Sequence, residues 1–151
     1  MNILIVGKFY KEGFALHISE TLDSMSYSTV RFEPGYKSNR TKRRTGQRID
    51  QVMSNLYTMV QNIPAARGKM IKKLWKITES RKIDAAIVCH DFLWPREVEE
   101  LKKRTGAAIA MWFPDHLGTI GRGLFMNAPY DALFFKDPFI VRRLDHVLAI
   151  P

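Results

Sequence analysis

Apolar positions along this chain keep two rhythms. Six short runs are apolar for most of their length: NILIV (2–6), STVRFE (28–33), DAAIVC (84–89), AAIAMWF (107–113), DALFF (131–135) and HVLAI (146–150). The second alternates with a period of two. Most of the others are continuous, the pattern of strands covered on both faces in a parallel sheet. Between these runs the spacing becomes helical. Phe14, Ile18, Leu22 and Met25 share one face. Residues 47–61 carry a stripe of Ile49, Val52, Met53, Leu56, Tyr57 and Val60. Pro64 and Gly68 interrupt it, which predicts a kink or a new helix. Residues 69–79 resume with Met70, Ile71, Leu74 and Trp75 on one side and Lys69, Lys72, Lys73 and Lys76 on another. A helix over 95–105 is marked at both ends, by Pro95 in its first turn and Gly106 just past its last. Its glutamates lie early and its Lys102, Lys103 and Arg104 late, as the helix dipole favours.

Strands alternating with helices predict right-handed crossovers and an α/β fold: a Rossmann-like, doubly wound parallel sheet of about six strands. The whole of 1–151 fits one domain. Two stretches, 34–46 and 114–130, are rich in glycine and polar residues and read as long loops. In such sheets ligands bind beyond the carboxyl ends of the strands. That rule selects Gly7, Lys8 and Phe9 after the first strand, Glu33 to Gly35 after the second, and His90 and Asp91 after the third. It then selects Pro114, Asp115 and His116, and finally Lys136 and Asp137.

Charge changes this picture in one place. The net charge is +9, but residues 37–76 alone hold eleven basic side chains and one acid, Asp50, so that segment is +10 and the rest of the chain is −1. The segment includes Lys42, Arg43, Arg44, Lys69, Lys72, Lys73 and Lys76. Such a local field attracts phosphates, acidic lipid or nucleic acid, or else it is a solvated face. The helix at 69–79 could lie on an acidic membrane surface through its apolar side, or pack that side on the sheet as a crossover helix. No apolar stretch approaches the ~20 residues of a membrane span, and no signal peptide pattern opens the chain. The single cysteine, Cys89, excludes an internal disulfide and a cysteine-based zinc site. A cytoplasmic location, peripheral to a membrane if the basic helix lies on one, is the expectation.

Candidate chemistry begins in the first loop. ILIVGKFYKEGF runs from strand to helix through Gly7 and Gly13, six residues apart. The dinucleotide fingerprint G-x-G-x-x-G and the P-loop both need other spacings, so neither is present. The acidic cluster of a phosphate-accepting receiver domain is missing after the first strand, and so is the Ser/Thr-rich loop of a flavodoxin. The helix N-terminus beyond Gly13 could still hold an anion on its free N–H groups. His90-Asp91 and Asp115-His116 each pair an imidazole with a carboxylate, which suits a general base and its orienting partner. The other reading makes each pair a helix or turn cap, Asp91 before the 95–105 helix in particular.

The opening segment GKFYKEGFALHISETLDSMSYSTVRFE resembles that of GT-B glycosyltransferases, matching at Gly13, His17, Glu20 and Leu22. It departs where Ser26 and Tyr27 replace the family's Gly-His turn. KIDAAIVC is similar to the family's third-strand segment. MWFPDH, a glycine-rich loop, YDALFFKDPFIVRRL and the terminal LAIP resemble the spore-maturation-type (CgeB-like) branch. The resemblance leaves out 37–76. It implies one half of a GT-B architecture, the N-terminal acceptor-side domain, with the C-terminal donor domain absent from these residues and the half-domain inactive by itself. It implies transfer of a sugar from a nucleotide-sugar co-substrate to an acceptor, without a further cofactor and without a metal. Asp115 or His90 would then be the catalytic base of an inverting enzyme. Gly7, Lys8, Phe9, Gly13, His17, His116, Lys136 and Asp137 would line the substrate cleft. The rival reading is a non-enzymatic Rossmann-like module that binds nucleic acid or another anionic partner through 37–76.

Overall fold

The computed structural model describes residues 1–34, 63–114, 127–136 and 147–149. The strands are β1 (Asn2–Val6), β2 (Ser28–Phe32), β3 (Ala85–Cys89), β4 (Ala108–Phe113), β5 (Ala132–Phe135) and β6 (Val147–Ala149). The helices are α1 (Phe14–Ser24), α2 (Pro64–Ser80) and α3 (Pro95–Thr105). The six strands form one all-parallel sheet in the order β2-β1-β3-β4-β5-β6. All six apolar runs are strands, and the α/β parallel-sheet expectation holds. The order reverses between β1 and β3, as in flavodoxin-like sheets.

Side-chain alternation divides the core in two. Leu4, Val6, Val30, Phe32, Val88, Ile109, Met111, Leu133 and Phe135 point to one face, where Met70 and Leu74 of α2 and Val98 and Leu101 of α3 join them. Ile3, Ile5 and Cys89 point to the other, where Ala15 and the partly buried Phe14, Ile18 and Leu22 of α1 cover them. The sheet is therefore wound on both sides. Burial pushes the Cys89 thiol up to about 12.

Two aspartates fix strands at the end where the strands begin. Asp84, just before β3, accepts the Asn2 N–H at 2.7 Å while its own N–H donates to Asn2 O at 2.9 Å. Asp131, just before β5, repeats the device on Ile109, at 2.7 and 2.9 Å. Burial opposes the Asp131 carboxylate, but Lys102 Nζ at 2.6 Å and the Ile109 N–H hold its pKa below the usual range.

α2 differs from the sequence expectation at its start. Pro64 is its first helical residue, where a missing N–H costs nothing, and Gly68 lies inside the helix without breaking it. A methyl group at Gly68 would meet nothing within 4 Å. α3 matches 95–105 at both ends, and its Gly106 adopts φ 64° in the left-handed region. Gly106→Ala is expected to lower stability by about 1 kcal/mol, since a Cβ is strained at this φ though it has room. The urea midpoint checks this, and an unchanged midpoint would count against the left-handed cap. Asp91 is not the N-cap of this helix: Trp94 holds that position, and Glu97 Oε2 accepts its N–H at 2.8 Å.

Candidate functional site

Because every strand runs the same way, the residues that follow them emerge along one edge, here called the crest. Register fixes their neighbours. Val6 pairs with both Phe32 and Val88, and Val88 pairs with Met111. Two residues further on, Lys8 follows β1 and His90 follows the neighbouring β3, with the Phe113 ring 5.4 Å from the imidazole. This is the point where strand order reverses, and the crevice opened there is where parallel sheets bind ligands.

The 7–13 loop is built around its two glycines. A Cβ on Gly7 would come within 2.5 Å of Ala15 Cβ and 3.1 Å of Cys89 Cβ, so glycine lets α1 lie close on β1 and β3. Gly7 N–H also donates to Phe32 O at 3.0 Å, which joins the loop to the end of β2. Gly13 N–H donates to Tyr10 O at 2.7 Å and closes the turn. A Cβ there would meet Lys8 O at 2.8 Å and Tyr10 O at 2.9 Å. Gly13 is the N-cap of α1, and no side chain caps that helix. Its first turn thus points backbone donors toward the crest with no acidic residue among them. Phe9 lies partly buried behind the loop, with the Arg31 guanidinium 5.7 Å from its ring.

His90 is, with Ser26, one of two described non-glycine residues with a positive φ. Its φ is 68°, rare for a residue with a Cβ and a common mark of constrained functional positions. Its N–H donates to Trp112 O at 3.1 Å, and its carbonyl accepts the Phe92 N–H at 3.0 Å. Edge-on contacts with Phe92 and Phe113, at 5.7 and 5.4 Å, hold the imidazole between two rings.

Behind His90 the chain enters a buried polar cluster that charge counting missed. Arg67 of α2 and Glu97 of α3 are both buried. Arg67 Nε donates to Glu97 Oε1 at 2.7 Å, a second bond joins Nη2 to Oε2, and Nη2 also donates to Phe92 O at 2.8 Å. The guanidinium stacks 4.4 Å from the Trp94 ring. Burial, with the Asp91 and Glu97 carboxylates nearby, pushes the Tyr130 phenol up. A signal was present in the sequence. Arg67 precedes Met70, Ile71 and Leu74 by three, four and seven residues, which places it on the apolar stripe.

The structure thus gathers Gly7, Lys8 and Gly13 in one loop, with Gly7 packed against Cys89, the residue before His90. It does not bring Lys136 to them: that residue follows β5, three strand spacings or roughly 14 Å from β1. His17 lies exposed on α1 with Glu20 at 3.9 Å, a turn below the crest. Asp115, His116, Asp137, Lys42, Arg43 and Arg44 lie outside the described residues, as do the 47–61 helix and most of both expected loops. The basic segment loses Arg67 to the buried pair. Lys69, Lys72, Lys73 and Lys76 remain exposed along α2. The apolar side of that helix is occupied: Met70 and Leu74 are in the core, with Ile71 and Trp75 packed against it. Among the described residues no helix is long and apolar enough to cross a membrane, and no three His, Cys, Asp or Glu side chains are grouped to hold a metal ion.

No protein family, curated protein or solved structure matches this chain.

Proposed function

We propose that the chain is the acceptor-side half of a two-domain sugar transferase, with its ligand surface on the crest between β1 and β3. The observation that carries this reading is the meeting, at the reversal of strand order, of an uncapped helix N-terminus behind a glycine turn and a histidine in left-handed conformation. The glycine turn and the first turn of α1 suit an anionic oxygen, such as a phosphate of the nucleotide-sugar co-substrate. Lys8 adds a cation beside it. His90, held by two aromatic rings, suits a hydrogen bond to an acceptor hydroxyl or removal of its proton. Asp115 is the second candidate base, and Phe9, His17, His116, Lys136 and Asp137 are candidate substrate contacts from the family resemblance.

A second reading rests on the exposed lysines of α2. Nucleic acid or another polyanion would bind along Lys69, Lys72, Lys73 and Lys76, and a membrane contact there would depend on charge alone because the apolar side is packed.

Amide NMR separates these readings. Nucleoside diphosphates, their sugar conjugates and neutral oligosaccharides are titrated in turn. The transferase reading expects shifts gathered at Gly7, Lys8, Gly13 and His90, reduced at least about tenfold in affinity by His90→Ala for the ligand that touches it. A crest silent to every ligand would overturn it. Shifts along the lysines with an oligonucleotide, lost steeply with salt, would establish the second reading instead.

A further inference from the structure

Away from the crest, one side of the sheet ends in β2, whose one strand neighbour among the described residues is β1. Ser28 N–H donates to Met1 O at 3.1 Å, and Phe32 O accepts the Gly7 N–H at 3.0 Å. In a parallel ladder alternate residues bond to the same neighbour. Ser28, Val30 and Phe32 therefore face β1, and the peptide groups of Thr29 and Arg31 face away from it, toward an edge that no other described strand occupies. A groove of about 650 Å³ runs along that edge, lined among others by Asp23, Thr29, Arg31, Ile77, Ser80 and Arg81.

The groove has an apolar element in Ile77 and a basic rim. Lys73 lies one turn before Ile77 and Lys76 one turn before Ser80, so both flank it on α2. Among the described residues, no carboxylate is within ion-pair distance of Lys73, Lys76 or Arg81. Arg31 is already held by Ser19 Oγ at 2.7 Å and Asp23 at 3.3 Å, which stiffens the strand from the α1 side. The edge is five residues long and carries a charge, so it is guarded against indiscriminate pairing.

We infer that this groove docks an extended acidic segment of a partner protein, added to the sheet as a strand beside β2. The alternating N–H and C=O groups of Thr29 and Arg31 complement another peptide backbone. A phosphodiester chain offers acceptors and few donors to such an edge. A second copy of this chain would bring two basic rims together. Acidic side chains of an added strand would instead meet Lys73, Lys76 and Arg81, and apolar ones Ile77.

The probe is a capped synthetic peptide of alternating valine and glutamate, compared with its valine–lysine counterpart. The glutamate peptide is expected to bind at least about tenfold more tightly and to slow exchange of the Thr29 and Arg31 amides. Thr29→Pro removes an outward N–H while sparing the ladder to β1, and should weaken binding about tenfold. Lys73→Glu with Arg81→Glu, both on the surface, should reverse the preference between the peptides whether or not the proline variant folds. Equal binding of both peptides, binding of neither, or unprotected Thr29 and Arg31 amides overturns the inference. So does displacement by oligothymidylate that acts on the α2 lysines alone, which would assign that ridge to nucleic acid.

Discussion

Arg67→Met is expected to destabilise the fold by about 3–5 kcal/mol, the largest effect of any single substitution considered. The side chains of Arg67 and Glu97 are 1% and 6% exposed, so removing the guanidinium leaves a carboxylate in the core with its charge uncompensated. The loss includes the bond to Phe92 O, which anchors the chain just after His90. Adding Glu97→Gln removes the stranded charge and keeps an oxygen for the Trp94 N–H. The double variant should therefore recover most of the loss, to within about 2 kcal/mol of the parent, because replacing a whole buried pair is far gentler than breaking it. Urea unfolding of the four members of this cycle measures the coupling. A single variant that unfolds at the parent's midpoint would refute the account.

Gly7→Ala carries the second largest effect, about 1–3 kcal/mol of destabilisation. The added methyl would sit 2.5 Å from Ala15 Cβ, a separation that real carbon atoms do not hold, so α1 must move away from β1. Movement of α1 carries Gly13 and its first turn with it, so a crest ligand should bind more weakly even in molecules that remain folded. Ala15→Gly in the same chain removes the opposing methyl and should return part of the stability, less the ~0.5–1 kcal/mol that glycine costs within a helix. Thermal unfolding of both variants tests this. Gly7→Ala at full stability would show that α1 is not packed through this glycine.

Much of this architecture was legible because local and global signals agree. Pro95 and Gly106 bracket α3 for the same physical reasons that make helices start and stop. The continuous apolar runs are strands because α1 covers one face and α2 and α3 the other. The start of α2 differs because Gly68 resembles an interruption, whereas a half-buried glycine with room around it inside a helix costs only propensity. The Arg67–Glu97 pair was hidden for a different reason. Each residue had a sufficient local meaning, one as part of a basic segment and one as a dipole-matched glutamate, and they are thirty positions apart in sequence. The left-handed turn at His90 leaves no mark in composition, since it is set by the bonds to Trp112 and Phe92 across the crest. At the other end of the strands the reverse is true. Asp84 and Asp131 each stand just before an apolar run, and both prove to hold the neighbouring strand by the same pair of hydrogen bonds.

The ties between α2 and α3 are unequal along their length. At the crest end they share the buried Arg67–Glu97 pair, sheltered from solvent. At the far end they share Arg104 with Glu79 at 3.0 Å, a solvent-exposed contact, and Arg104 also lies 4.9 Å from the Trp75 ring. Ionic strength screens the outer fastening and hardly reaches the inner one. Salt therefore weakens the outer tie and leaves the inner one, with the chain just after His90 that it anchors, unchanged, while the apolar packing of Leu74 and Leu101 holds at any ionic strength.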